Sequence, residues 1–224
     1  MSERATRALA AGCGIAGVVM LTAHFLIPAG VPPDSAGLAR IAAFARAHAN
    51  AIRLSAWLQA TGAILYVVFV LAVVHLAGAG ERFAGRIVAL AGAVLVAVAL
   101  LDSALIVATV QAAAHGHAET LRVSFDLVGG PGNDAIGRSF LLAPAILLPL
   151  GFVLLQTQLL PRAYGVTALA FGALSQVLGL AGLFSAVAFA DVNPVVLALE
   201  NVWLIAVAVA LVVDRAPERT LSPA

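Results

Sequence analysis

Of 224 residues, 62% are hydrophobic and 10% charged, with a mean hydropathy of +1.07; soluble domains use roughly one-half apolar and one-quarter charged residues, so the balance excludes an ordinary soluble domain and predicts an integral membrane protein. The net charge of +1, with twelve Arg and no Lys, carries no nucleic-acid signal and excludes a retinal-type Schiff base. The single Cys13 excludes an intrachain disulfide and a cysteine-based metal framework.

The first predicted span, residues 8–28, follows Arg4 and Arg7 and ends at Pro28 and Pro32. An apolar run of about 20 residues is too long for a signal-peptide core of roughly 7–15 and long enough to cross a bilayer as a helix. Residues 34–53 then predict an amphipathic helix lying along the outer membrane surface. Leu38, Ile41, Phe44, Ala45 and Ile52 fall on one side, with His48 toward it, while Arg40, Arg46, Asn50 and Arg53 fall on the other; Asp34 or Ser35 can cap its start.

The second and third spans are predicted at 54–76 and 85–113, joined by a tight link. The longest polar connection follows, with Leu121, Phe125 and Val128 at helical spacing before a Gly-Gly-Pro-Gly break; Asn133 or Asp134 can cap the fourth span. That span, 136–160, carries Pro144 and Pro149, each of which removes a backbone donor. The fifth and sixth are predicted at 164–190 and 194–213. The expected fold is therefore all-α, a single polytopic membrane domain of six transmembrane helices with an outer interfacial helix between spans one and two. With both termini cytoplasmic, seven Arg (4, 7, 82, 86, 162, 215 and 219) lie inside and five (40, 46, 53, 122 and 138) outside, the orientation that the positive-inside rule favours.

That topology assigns depths. At about 1.5 Å per residue, Glu200 lies roughly 9 Å below the outer surface and Asp102 at a comparable level. They are the two acids within apolar runs. An ionisable residue at the centre of a span costs roughly 2.5–3.5 kcal/mol on insertion scales, so it faces a cavity, a bundle interior or a partner. His24, Ser55, Gln59, Ser103, Thr109, Asn193 and Asn201 fall in the same outer layer, and Ser55, Gln59, Gly62 and Tyr66 share one face of the second span. The inner half holds only His75, Gln156, Thr157 and Gln158, near its boundary. This asymmetry predicts an outward-facing polar pocket walled by spans one, two, three and six and roofed by the 116–135 connection. Asp102 and Glu200 are its candidate catalytic pair, sharing a proton as donor and acceptor; the alternative is a structural contact between helices. His24, Ser55, Gln59, Tyr66 and Asn201 are the candidate ligand-binding residues.

Other patterns carry less. His115, His117 and Glu119 could offer metal ligands, but an i, i+2 histidine pair points to different helix faces, and a solvated connection is the favoured reading. Gly12, Gly14 and Gly17 match the letters of a dinucleotide fingerprint without its strand, and read as helix-packing positions. Gly165, Ala168, Gly172, Ser175, Gly179, Gly182 and Ala186 form a small-residue ridge on the fifth span, along which another helix should approach, either within the bundle or from a second protomer of a homo-oligomer. No cofactor is predicted.

The layout of an Arg-flanked first span, a Pro-containing outer loop leading into an amphipathic helix, and the second-span stretch WLQATGAILYVVFVLAVVHLAG resembles bacterial six-span membrane proteins grouped as a domain of unknown function. The resemblance covers nearly the whole chain; it implies the fold and supplies no catalytic residues. The expected function is a bacterial inner-membrane protein that binds a lipid-like or other apolar small molecule among the membrane lipids, with no nucleic-acid partner. The alternatives are a membrane-embedded acid–base isomerase or cyclase acting on an isoprenoid or lipid, and a proton-coupled transporter.

Overall fold

The computed structural model describes residues 2–27, 30–33, 35–128, 143–157, 159–184 and 186–213, with positions 143–145 and 181–194 described by backbone alone. All regular structure among them is helical: α1 (Glu3–Leu26), α2 (Leu38–Ala47), α3 (Ala49–Leu76), α4 (Phe83–His115), α5 (Ala118–Val128), α6 (Ala143–Thr157), α7 (Arg162–Phe184) and α8 (Ala186–Val213). Five of them (α1, α3, α4, and the stretches Arg162–Leu180 of α7 and Val195–Val213 of α8) are long and apolar enough to cross a membrane, which marks a multi-pass membrane protein. In α6 the apolar stretch Ile146–Thr157 is shorter. The first part of the span expected at 136–160, with the Gly-Gly-Pro-Gly break and the Asn133 and Asp134 caps, lies outside the described residues, as does Asp34.

Six helices close a ring of neighbours: α1 packs on α3, α3 on α4, α4 on α6, α6 on α7, α7 on α8, and α8 back on α1. Ser2 caps α1 by accepting from Ala5 N–H at 3.3 Å, and Glu3 sits in the positive first turn. Arg7 Nη1 donates to the Leu211 carbonyl at 3.4 Å, so the start of α1 meets the end of α8. Half of the ring is filled by a dry cluster that includes Phe69, Val70, Val73, Val88, Leu147, Leu150, Leu154, Val207 and Leu211, all at most 2% exposed. At the opposite end, α2 and α5 lie over α4 with a second apolar cluster around Ile41, Ala45, Val110, Leu121 and Phe125.

Three element boundaries depart from the sequence reading. The amphipathic helix is shorter than 34–53: it breaks at His48 (φ −110°, ψ 18°), and 49–53 belong to α3. His48 stacks on Phe44 with ring centroids 4.4 Å apart and is exposed rather than turned to the apolar side, because it occupies the corner between two helices. The fifth span ends at Phe184 instead of Ala190, and α8 starts at Ala186, eight residues before Pro194. The 23 residues of α7 already rise about 35 Å, enough to cross a hydrocarbon layer of ~30 Å, and the continuous apolar text has no residue that marks the break.

The small residues act where backbones touch. A Cβ on Gly17 would stand 2.8 Å from Tyr66 N, and one on Gly14 2.8 Å from the Phe69 ring, so α1 and α3 approach closely there; Gly12 faces open space. The ridge on α7 is approached from within the bundle by α6: a Cβ on Gly165 or Gly172 would meet Leu155 or Leu148, and one on Gly151 of α6 would lie 2.9 Å from the Gly165 carbonyl. Ala168 and Gly179 are buried as well, and Gly182 and Ala186 lie where backbone alone is described. Gly17→Ala is expected to lower stability by about 1–3 kcal/mol, because backbone cannot yield to the new methyl, while Gly12→Ala leaves it unchanged or slightly raised. Thermal unfolding of the two variants in one detergent distinguishes them.

Candidate functional site

The α1–α3 crossing sets a register that builds the site. Gly62 receives Leu21, and one turn farther along α1 His24 meets Ser55, with His24 Nδ1 2.8 Å from Ser55 Oγ and Ser55 Oγ 3.2 Å from the His24 carbonyl. The single Ser55 hydroxyl proton satisfies both contacts only by going to the carbonyl, so Nδ1–H donates to Oγ. On the next turn of α3, Gln59 is 2% exposed and faces α4. Its Nε2 donates to Asp102 Oδ2 at 2.5 Å, and its Oε1 accepts from Ser103 Oγ at 3.4 Å. Ser103 thereby fixes the amide so that its NH2 group points at the carboxylate.

His24, Ser55, Asp102 and Thr109 form the polar side of a cavity of about 220 Å³ beneath α2 and α5. Ile41, Phe44 and Ala45 of α2 and Phe125 and Val128 of α5 roof it; Ile52 and Ile106 complete its walls. Thr109 Oγ1 donates to the Leu105 carbonyl at 3.1 Å, which leaves it only acceptor capacity. Phe25 and Val31, 65% and 49% exposed, stand on the rim. The entrance is therefore apolar, and the polar groups lie inside.

Glu200 belongs to a different contact. It lies near the middle of α8 and accepts from Ser175 Oγ of α7 at 2.5 Å. Tyr66 of α3 is within its electrostatic reach. Beside it, Asn201 Nδ2 donates to Thr22 Oγ1 of α1 at 3.4 Å. Thr22 lies between Leu21 and His24, the residues that meet Gly62 and Ser55, so Asn201 and Gln59 are level across α1 and the two acids share a layer. They do not share a bond. Among the described residues the cavity lining holds Asp102, His24 and Ser55 but not Glu200, Tyr66 or Asn201, and Gln59 enters only as the support of Asp102. The walls are α1, α3 and α4; the expected contribution of α8 is absent from the lining.

The roofing role of α2 and Ile41 was not drawn from the sequence, although the alignment of Ile41, Ala45 and Phe44 on one helix face was the available signal. His115 ends α4, its Nδ1–H donating to the Gln111 carbonyl at 2.8 Å, and stacks on His117 at 5.9 Å; both rings and Glu119 are exposed. No group of three metal-capable side chains occurs among the described residues. No protein-family model, curated protein or solved structure matches the chain.

What fold and site define together is a multi-pass helical membrane protein with an apolar-mouthed cavity and one buried carboxylate in its wall. Gln59→Leu strands that carboxylate without its buried donor and is expected to cost about 1–3 kcal/mol, whereas Gln59→Leu combined with Asp102→Leu should recover much of the loss, because removing both partners leaves no orphaned polar group. Unfolding midpoints of both single variants and the double variant close that cycle.

Proposed function

We propose that this chain is a bacterial inner-membrane protein, both termini cytoplasmic, that binds a lipid-like small molecule in the cavity under α2 and α5. The reading keeps the six spans expected from the sequence and sets α2 and α5 at the outer interface. The observation that carries the reading is the order of surfaces along the cavity: an exposed apolar rim at Phe25 and Val31, apolar walls, and the Asp102 carboxylate with the His24–Ser55 pair at the polar side. Such a chamber takes a molecule from the apolar phase and fixes it by one head group that donates to Asp102, an alcohol, amide or amine. Small-molecule sites combine apolar walls with a few placed polar groups in this way.

An acid–base enzyme using Asp102 and Glu200 on one substrate is the second reading. It has less support, since Glu200 is engaged by Ser175 away from the cavity lining. A proton-coupled transporter would need a polar route through the other half of the ring, where the dry cluster around Phe69, Val73 and Leu211 stands.

Mass spectrometry of molecules extracted from the purified protein tests the binding reading. Wild type should retain one dominant apolar species. Ile106→Trp, which fills the cavity, should release it, and Asp102→Asn should weaken retention by about tenfold or more, as expected when a hydrogen bond to a charged group is weakened. Identical retention by wild type and Ile106→Trp, with both folded, would overturn it.

A further inference from the structure

On the far side of α2 from the cavity runs a second, shallower groove, and nothing in the proposed function uses it. Ala39 and Ala42 of α2 form one wall, Ala112 and Ala113 at the end of α4 the other, and Leu121 its floor. Leu38 stands at the α2 end of the same lining, and the groove turns at Gly116, whose φ of +73° lets α4 stop and α5 fold back. Arg46 stands in its lining and is exposed. Its Nη1 donates to the Ala113 carbonyl at 3.1 Å, which holds the guanidinium over the groove. That single bond uses one of five donors.

Charge and depth select the occupant. Among the described residues Arg46 is the one charged side chain in the groove's lining, and Arg122 of α5 is paired with Asp126 at 2.8 Å. The site is therefore cationic. The 33 residues of α4 rise about 50 Å, well beyond a hydrocarbon thickness of ~30 Å. Counted from Ile87, after the last Arg at that end, the hydrocarbon ends near Val107, which puts Ala112 and Ala113 at the level of lipid head groups. An alanine-walled slot at that level, with a guanidinium at its edge, fits one acyl chain leaving the bilayer beside a phosphate.

We infer that this groove is a binding site for a phospholipid with an anionic head group, its phosphate on Arg46 and its proximal acyl segment between α2 and α4. The site is separate from the cavity around Asp102, and the two respond to different substitutions. Occupancy ties α2 to α4 from outside and so supports the roof of the cavity.

The test is native mass spectrometry of the full-length protein, stripped of lipid in detergent and titrated with phosphatidylglycerol or phosphatidylcholine of identical acyl chains. Wild type should bind phosphatidylglycerol about fivefold more tightly, the ratio that corresponds to the ~1 kcal/mol contributed by one Arg near an anionic surface. Arg46→Gln should erase the preference, and Arg46→Lys should keep part of it. Ala39→Leu, which narrows the groove and leaves Arg46 in place, should weaken both lipids, and this variant decides the matter if Arg46→Gln fails to fold. Asp102→Asn should leave the lipid preference unchanged while altering retention of the cavity species. Equal binding of the two lipids by wild type, or an undiminished preference in Arg46→Gln, would show that the groove is no anionic-lipid site.

Discussion

The close crossing of α1 and α3 is the constraint from which the polar layer follows. Two helices carrying ordinary side chains pack with axes 8–10 Å apart; where Gly17 faces Tyr66 N and Gly62 faces Leu21 N, the backbones come nearer. Shape attraction of this kind drives helix association in a bilayer, where lipid tails offer no hydrophobic contrast. It also fixes register. Once Leu21 meets Gly62, helical rise brings His24 to Ser55, and rotation along α3 turns Gln59 away from α1 toward α4. A bulky residue at 17 or 62 would move the helices apart and slide three polar contacts at once.

The second consequence concerns how intramembrane carboxylates are accommodated. Each acid has been given a hydrogen-bond donor from an adjoining helix: Gln59 for Asp102, Ser175 for Glu200. The local solutions differ in what they leave accessible. Glu200 is packed between α7, α8 and the reach of Tyr66, as a contact that joins helices. Asp102 is held on one oxygen by Gln59 and still lines a cavity. Two carboxylates at the same level are thus held by donors from adjoining helices, and only that of Asp102 faces the cavity.

The sequence was most legible where one physical effect dominates. Hydropathy runs located α1, α3 and α4 to within a few residues, since backbone satisfaction in lipid demands helices there. The layer of Asp102 and Glu200 followed from rise per residue. Their pairing did not, because depth says nothing about azimuth: which way a residue points depends on the order of helices around the ring, and α8 closes against α1 and α7 rather than against the cavity. The boundary between α7, ending at Phe184, and α8, starting at Ala186, was hidden for a related reason. Within a continuous apolar stretch a helix end is set by tertiary packing, and neither Asp191 nor Asn193 marks its position. Likewise the small-residue ridge of α7 announced a close neighbour, and only the packing of Leu148 and Leu155 says that the neighbour is α6.

The placement of the cavity follows from the unequal lengths of the helices. Where all six members of the ring run side by side, their facing side chains fill the middle, and the dry cluster around Phe69 and Leu211 leaves no room for a ligand. Toward the other end α1 stops at Leu26, while α4 continues to His115. That mismatch leaves a space beside α4 that only the connecting segments can cover. Gly116, in the left-handed conformation, folds α5 back, and α2 is turned over the same space by the corner at His48. Both short helices are amphipathic, so their apolar faces close the space without making it watertight as a packed core would be. A chamber formed in this way is bounded by the least extensively packed elements of the fold, and it leaves Asp102 in a cavity wall while Glu200, level with it across the ring, stays outside that lining.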